Sequence, residues 1–190
     1  MPVPSPDTSA SLLEQARDRR AAAWDRLVAL YTPLLDAWLT AAGLQPADRE
    51  DLRQRVLEVL VRQLPGFEHS GRPGAFRAWL RGITVNLLRE FWRARPAPGA
   101  GSVLERVSDP DAGLSRYWDE QHDRHVLHAL MGLVRPEFTE ATWQAFRRQA
   151  LDGAAAREVA AELGLSVNAV FIAKSRVLCR LHQEGAGLID

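Results

Sequence analysis

The sequence predicts an all-α protein of two helical modules joined by a flexible linker. Three observations carry this. Apolar residues recur at three- and four-residue steps over most of the 190 positions, the period of an amphipathic helix. No β-branched run alternates with polar residues between turn signals, so strands have no support. The stretch Pro96-Ala97-Pro98-Gly99-Ala100-Gly101-Ser102 is a boundary by composition.

The elements follow in order. Met1-Pro2-Val3-Pro4-Ser5-Pro6 has neither a basic n-region nor an apolar h-region, so it reads as a short disordered leader and not a secretory signal. Residues 1–19 hold this leader and the start of the first helix. That helix is expected over 11–42, with Trp24, Leu27, Val28, Tyr31, Leu34, Leu35 and Trp38 along one side and a kink or break at Pro33. Gly43 ends it, and Pro46 and Asp48 open a second helix that Pro65-Gly66 stops. Residues 68–74 are a loop, and a third helix is expected over 75–93. From 96 to about 118 no clean period exists, so 96–121 is read as linker. Helix resumes near Asp119 and runs to Val134. Another opens at Pro136 and ends at Asp152-Gly153, and the last two cover 154–163 and 167–184. The tail from Glu184 to Asp190 reads as a frayed end.

Bulk properties exclude several classes. A hydrophobic fraction of 46% can supply a core. No apolar run is long enough to span a membrane. The single cysteine, Cys179, excludes an internal disulfide framework and a cysteine metal cluster, and suits a reducing cytoplasm. No phosphate loop, nucleotide-binding glycine motif or nucleophile elbow is present, which argues against an enzyme or a cofactor. Asp48, Glu50 and Asp51 sit in a first helical turn, where carboxylates offset the dipole. His122, His125 and His128 lack a completing ligand at zinc spacing, so they are read as a solvated helix face and not as a metal site.

Net charge is zero, with 24 basic and 24 acidic residues, but the charge is segregated. Between Phe67 and Arg95 six arginines (72, 77, 81, 89, 93, 95) face only Glu68 and Glu90. The next segment is acidic, with Glu105, Asp109, Asp111, Asp119 and Glu120 against Arg106 and Arg116. Basic side chains gathered on one surface attract phosphates even in a neutral chain.

Residues 154–181 read AAAREVAAELGLSVNAVFIAKSRVLCRL. Val159, Ala160 and Leu163 form the inner side of a short helix. Gly164 can end it with positive φ, Leu165 plugs the angle, and Ser166 caps the next helix. Val170, Ala173, Val177 and Leu181 share one side of that helix. The pattern is that of a helix-turn-helix, whose second helix enters the major groove. Asn168, Ile172, Ser175, Arg176 and Cys179 lie opposite the Val170 stripe, with Phe171 at its edge. Outward Ile172 suits a thymine methyl or a sugar, Arg176 a guanine edge or phosphate, and Asn168 an adenine. A plain helical hairpin is the bland alternative.

Two stretches, ADREDLRQRVLEVLVRQLPGF and GRPGAFRAWLRGITVNLLREFWRAR, resemble region 2 of extracytoplasmic-function (ECF, group 4) sigma factors of the sigma-70 family. Residues 122–190 resemble region 4. The resemblance covers about 20–95 and 122–184, in the family's order. It implies region 2 over 20–95, a linker over 96–121 and region 4 over 122–190. It further implies that Asp51, Leu52, Gln54, Arg55 and Glu58 dock on the β′ clamp helices of core RNA polymerase. The loop at Ser70, Gly71 and Arg72 would take a flipped −10 base, and Asn86, Arg89 and Arg93 would track that element. Ser166, Asn168, Phe171, Ile172, Ser175 and Arg176 would read the −35 element, with further contact to the β flap. The family often has a basic residue where Phe171 and Ala173 stand, so the −35 readout is expected to differ here. Promoter DNA and core polymerase are the implied partners, an anti-sigma factor is usual, and the chemistry belongs to the polymerase. A stand-alone helix-turn-helix regulator is the alternative. It would hold duplex DNA without polymerase.

Overall fold

The structure is a computed structural model, which describes residues 11–68, 70, 72, 74–95 and 113–189. The described residues form helices and turns without strands: α1 (Leu12–Arg17), α2 (Ala21–Ala41), α3 (Pro46–Gln63), α4 (Ala75–Ala94), α5 (Gly113–Val134), α6 (Glu140–Phe146), α7 (Ala156–Leu163) and α8 (Val167–Gly185). Short 3-10 turns follow α3 and α5, and a π-helical segment, Arg147–Leu151, extends α6. The expected fold class holds.

The first expected helix is two. Ser11 caps α1 by accepting from the Glu14 amide at 3.2 Å, and the Glu14 carboxylate accepts from the Ser11 amide at 2.9 Å. This reciprocal pair satisfies two amides that a helix start leaves orphaned. The chain turns at Arg19, whose φ of 58° is left-handed. Pro33 breaks nothing: α2 runs through it. Its missing amide costs a backbone bond, which the buried stripe Leu27, Leu30, Tyr31, Leu34, Leu35, Trp38 and Leu39 outweighs.

α3 and α4 form where the sequence places them, and pack on each other and, through α3, on α2. The largest departure is α5. It begins at Gly113, inside the stretch expected as linker, and not near Asp119. Its inner stripe is Trp118, His122, Val126, Leu130 and Val134, all fully buried. Four-residue steps put these five on one side of the helix. The stripe lies on α2, with the Trp38 and Trp118 rings edge-to-face at 5.2 Å. One continuous core thus runs from Leu12 through α2, α3 and α4 into α5, α6 and α8.

The tail is not frayed. Glu184, Gly185 and Leu188 are buried. Glu184 sits between two arginines, Arg26 Nη2 at 2.5 Å from Oε1 and Arg180 Nη2 at 2.7 Å from Oε2. A buried carboxylate needs such partners. Gly185 lets α8 approach α5: a Cβ there would stand 2.7 Å from Leu130 Cδ1.

Candidate nucleic-acid interface

The helix-turn-helix is built by α7 and α8. The Glu158 carboxylate accepts from the Ala155 amide at 3.3 Å and steadies the start of α7. Gly164 closes α7 in the left-handed region at φ 65°. The Leu165 amide then donates to the Ala160 carbonyl at 2.9 Å, which satisfies a carbonyl the helix end would strand. Ser166 accepts from the Ala169 amide at 3.1 Å and starts α8. Ala145, Val159, Ala160, Val170 and Ala173 form a separate small core that sets the angle between the helices. Arg148 clamps the unit from outside, bidentate to Glu162 at 2.9 and 3.0 Å and 3.1 Å from Asp152. The bonds to Glu162 raise the Arg148 pKa, and the same contact lowers that of Glu162.

All six residues expected to read the −35 element, Ser166, Asn168, Phe171, Ile172, Ser175 and Arg176, are exposed. Phe171 and Ile172 are 52% and 50% exposed, and Val167 and Leu178 of the same helix are exposed with them. Ser175, Arg176 and Cys179 also line a shallow cleft against Phe138.

The residues expected at the −10 element scatter more widely. Ser70 and Arg72 are exposed, and the Arg72 amide lies 3.4 Å from Ser70 Oγ. Gly71 lies outside the described residues. Asn86 is exposed and accepts from Arg89 at 3.2 Å, and Arg93 is exposed. Twelve residues of α4 separate Gly74 from Asn86, about 18 Å along the axis. The helix therefore connects loop and Asn86 as one rigid rod. Phe76 is core, and Trp79 packs between Phe67 at 4.8 Å and Phe76 at 5.6 Å.

Of the residues expected to bind polymerase, Asp51, Gln54, Arg55 and Glu58 are exposed on α3. Leu52 is only 1% exposed, because it belongs to the inner stripe with Val56 and Leu60. It holds the helix and offers a partner nothing here. Arg55 bridges to Glu90 at 3.1 Å. Arg55, Glu58, Asn86 and Glu90 border one groove of about 460 Å³ between α3 and α4. This groove joins residues expected to serve two different partners.

The arginine cluster of α4 is divided. Arg77 Nη1 lies 2.7 Å from both carboxylate oxygens of Asp123, and its Nε lies 3.2 Å from Asp119. Arg81 meets Asp119 at 3.3 Å. Both were expected to attract phosphates, and both are taken up by α5. The expected solvated histidine face holds only at His128, which is exposed; the His122 ring is fully buried and His125 is half-buried. His122 Nδ1 lies 3.0 Å from Asp123 and its Nε2 3.0 Å from the Tyr31 hydroxyl. His125 Nε2 meets the Leu30 carbonyl at 2.6 Å. Burial lowers the His122 pKa against the opposing Asp123 contact, and raises that of Tyr31. Among the described residues no group of histidine, cysteine or carboxylate side chains could hold a metal. No described helix is long and apolar enough to cross a membrane.

With this geometry in view, known proteins offer a comparison. The chain is similar to an RNA polymerase sigma factor. It is 28% identical over 146 residues to the RNA polymerase sigma-E factor of Streptomyces avermitilis, covering 73% of this chain and 72% of that protein. A solved structure, CnrH in complex with the cytosolic domain of CnrY, is 27% identical and covers 92% of this chain and 95% of that one. The TM-score of 0.39 is too low for that superposition to carry an argument. No family model matches the chain.

Proposed function

We propose that this chain is an ECF-type sigma factor that binds core RNA polymerase in the cytoplasm and directs it to promoters with −35 and −10 elements. The observation that carries the reading is a helix-turn-helix with an exposed outer face, preceded by a bundle whose α4 links a loop, Asn86, Arg89 and the exposed Arg93 in one rod. The similarity to the Streptomyces avermitilis sigma-E factor supports it. On this reading residues 20–95 are region 2, residues 122–190 are region 4, and 96–121 join them. Asp51, Gln54, Arg55 and Glu58 meet the β′ clamp helices. Ser70, Gly71, Arg72, Asn86, Arg89 and Arg93 serve the −10 element. Strand opening costs unstacking energy, which bound single-stranded bases return through stacking and pocket contacts. An anti-sigma factor is a further proposed partner.

Run-off transcription with bacterial core polymerase, with and without the protein, on pooled genomic promoter fragments tests this. Discrete protein-dependent start sites are expected. No new starts, together with tight duplex binding in the absence of polymerase, would identify a stand-alone regulator.

A further inference from the structure

The outer face of α8 combines two properties that narrow what it can read. Phe171 and Ile172 lie within its first two turns, the part of a recognition helix that reaches base edges. Each is about half exposed, and no described residue covers them. The Ser166 cap and the buried Val170 and Ala173 fix that turn, so the two side chains are held outward.

Charge decides the kind of partner. Residues 163–183 contain no aspartate or glutamate. The ion pairs nearby consume Arg148 and Arg180, while Arg157, Lys174 and Arg176 have no carboxylate partner among the described residues. An apolar centre flanked on its own helix by Lys174 and Arg176, with the nearby Glu137 neutralised by Arg180, complements a groove floor between two phosphate backbones.

Resting on the sigma-factor reading, we infer that Phe171 and Ile172 read thymine 5-methyl groups in the −35 element, so that recognition at those steps is apolar. In the major groove the thymine methyl is the base-edge feature an apolar side chain can distinguish. Asn168, Ser175 and Arg176 supply the polar contacts beside it. The inference makes the upstream element of this chain thymine-bearing at the steps under residues 171 and 172.

The test uses holoenzyme reconstituted from the full chain and bacterial core polymerase. It selects from a duplex library randomised in the upstream element, and each enriched thymine is then replaced by deoxyuridine, which removes only the methyl. Wild type should bind about fourfold more weakly per methyl lost, the worth of one buried carbon. Ile172→Ala or Phe171→Ala should erase the difference at its own step, and Arg176→Ala should retain it. Enriched elements without thymine, or deoxyuridine bound as well as thymine, overturn the inference while leaving the sigma-factor reading intact. If the holoenzyme enriches nothing, both fall. Methyl-independent promoter binding would make the apolar pair a surface for a protein partner.

Discussion

The Tyr31 hydroxyl and His122 Nε2 lie 3.0 Å apart in a fully buried contact between helices 91 residues apart in the chain. With Nδ1 donating to Asp123, Nε2 is left to accept the tyrosine proton. The relay continues from Asp123 to Arg77 on α4. It ties together α2, α4 and α5, and is one of several contacts that join the two modules.

This relay makes the packing pH-dependent. Tyr31, Asp119, Asp123 and Arg77 surround His122, and burial is the largest influence on it, holding its pKa below the usual value. The packed state therefore prefers neutral His122. Its stability is full above the ordinary histidine value of about 6.5 and falls as pH drops through the lowered one. The raised Tyr31 pKa sets the opposite limit, at alkaline pH. Urea midpoints measured from about pH 8 to about pH 5 should decline for wild type and stay flatter for His122→Gln. Parallel curves would show that His122 does not control the packing.

Trp118 is fully buried against Trp38, itself 1% exposed. Trp118→Ala should cost about 3–5 kcal/mol in urea unfolding. A double-mutant cycle with Trp38→Ala should show about 1 kcal/mol of coupling from the edge-to-face contact. Additive losses would mean that the rings only fill space.

Asp119 and Asp123 pair with Arg77 and Arg81, which would otherwise be free to attract phosphates. The double variant Asp119→Asn, Asp123→Asn should bind single-stranded DNA more tightly than wild type. Its salt dependence should steepen by roughly 0.7 in log K against log salt for each freed arginine that meets a phosphate. An unchanged slope would place Arg77 and Arg81 outside any nucleic-acid path.

Arg176 and Asn86 should separate two steps of initiation. Arg176→Ala should weaken use of the cognate −35 element by about 1–3 kcal/mol with core binding unchanged. Asn86→Ala should impair opening more than closed-complex formation. Permanganate footprinting reads the second effect directly, and normal melting in that variant would remove Asn86 from the opening step.

Helices with strong punctuation were legible in the sequence. α3 has Pro46 at its start and Pro65 after it. α8 has the Ser166 cap and follows Gly164. Position Pro33 misled because a proline inside a helix costs less than the core face of α2 supplies. The turn at Arg19 carries no glycine to announce it. α5 was missed at its start because its stripe includes His122, which hydropathy treats as polar. The four-residue spacing of Trp118, His122, Val126, Leu130 and Val134 was the available signal. The exposed face of α8 was legible, since a helix with one apolar stripe declares its opposite side. The pairing of Arg77 and Arg81 was not, because it joins residues 38 to 46 positions apart.

The contact between Arg26 and Glu184 spans 158 positions, which bears on the order in which this fold assembles. Each hairpin of helices closes a short loop and forms early, whereas ordering so long a segment of chain delays its reward. The clasp of the two modules is therefore expected to form last in folding and to open first, as a sub-global unit below the cost of full unfolding. Amide exchange should find α5 released first, while α2, α3 and α4 still hold their protons.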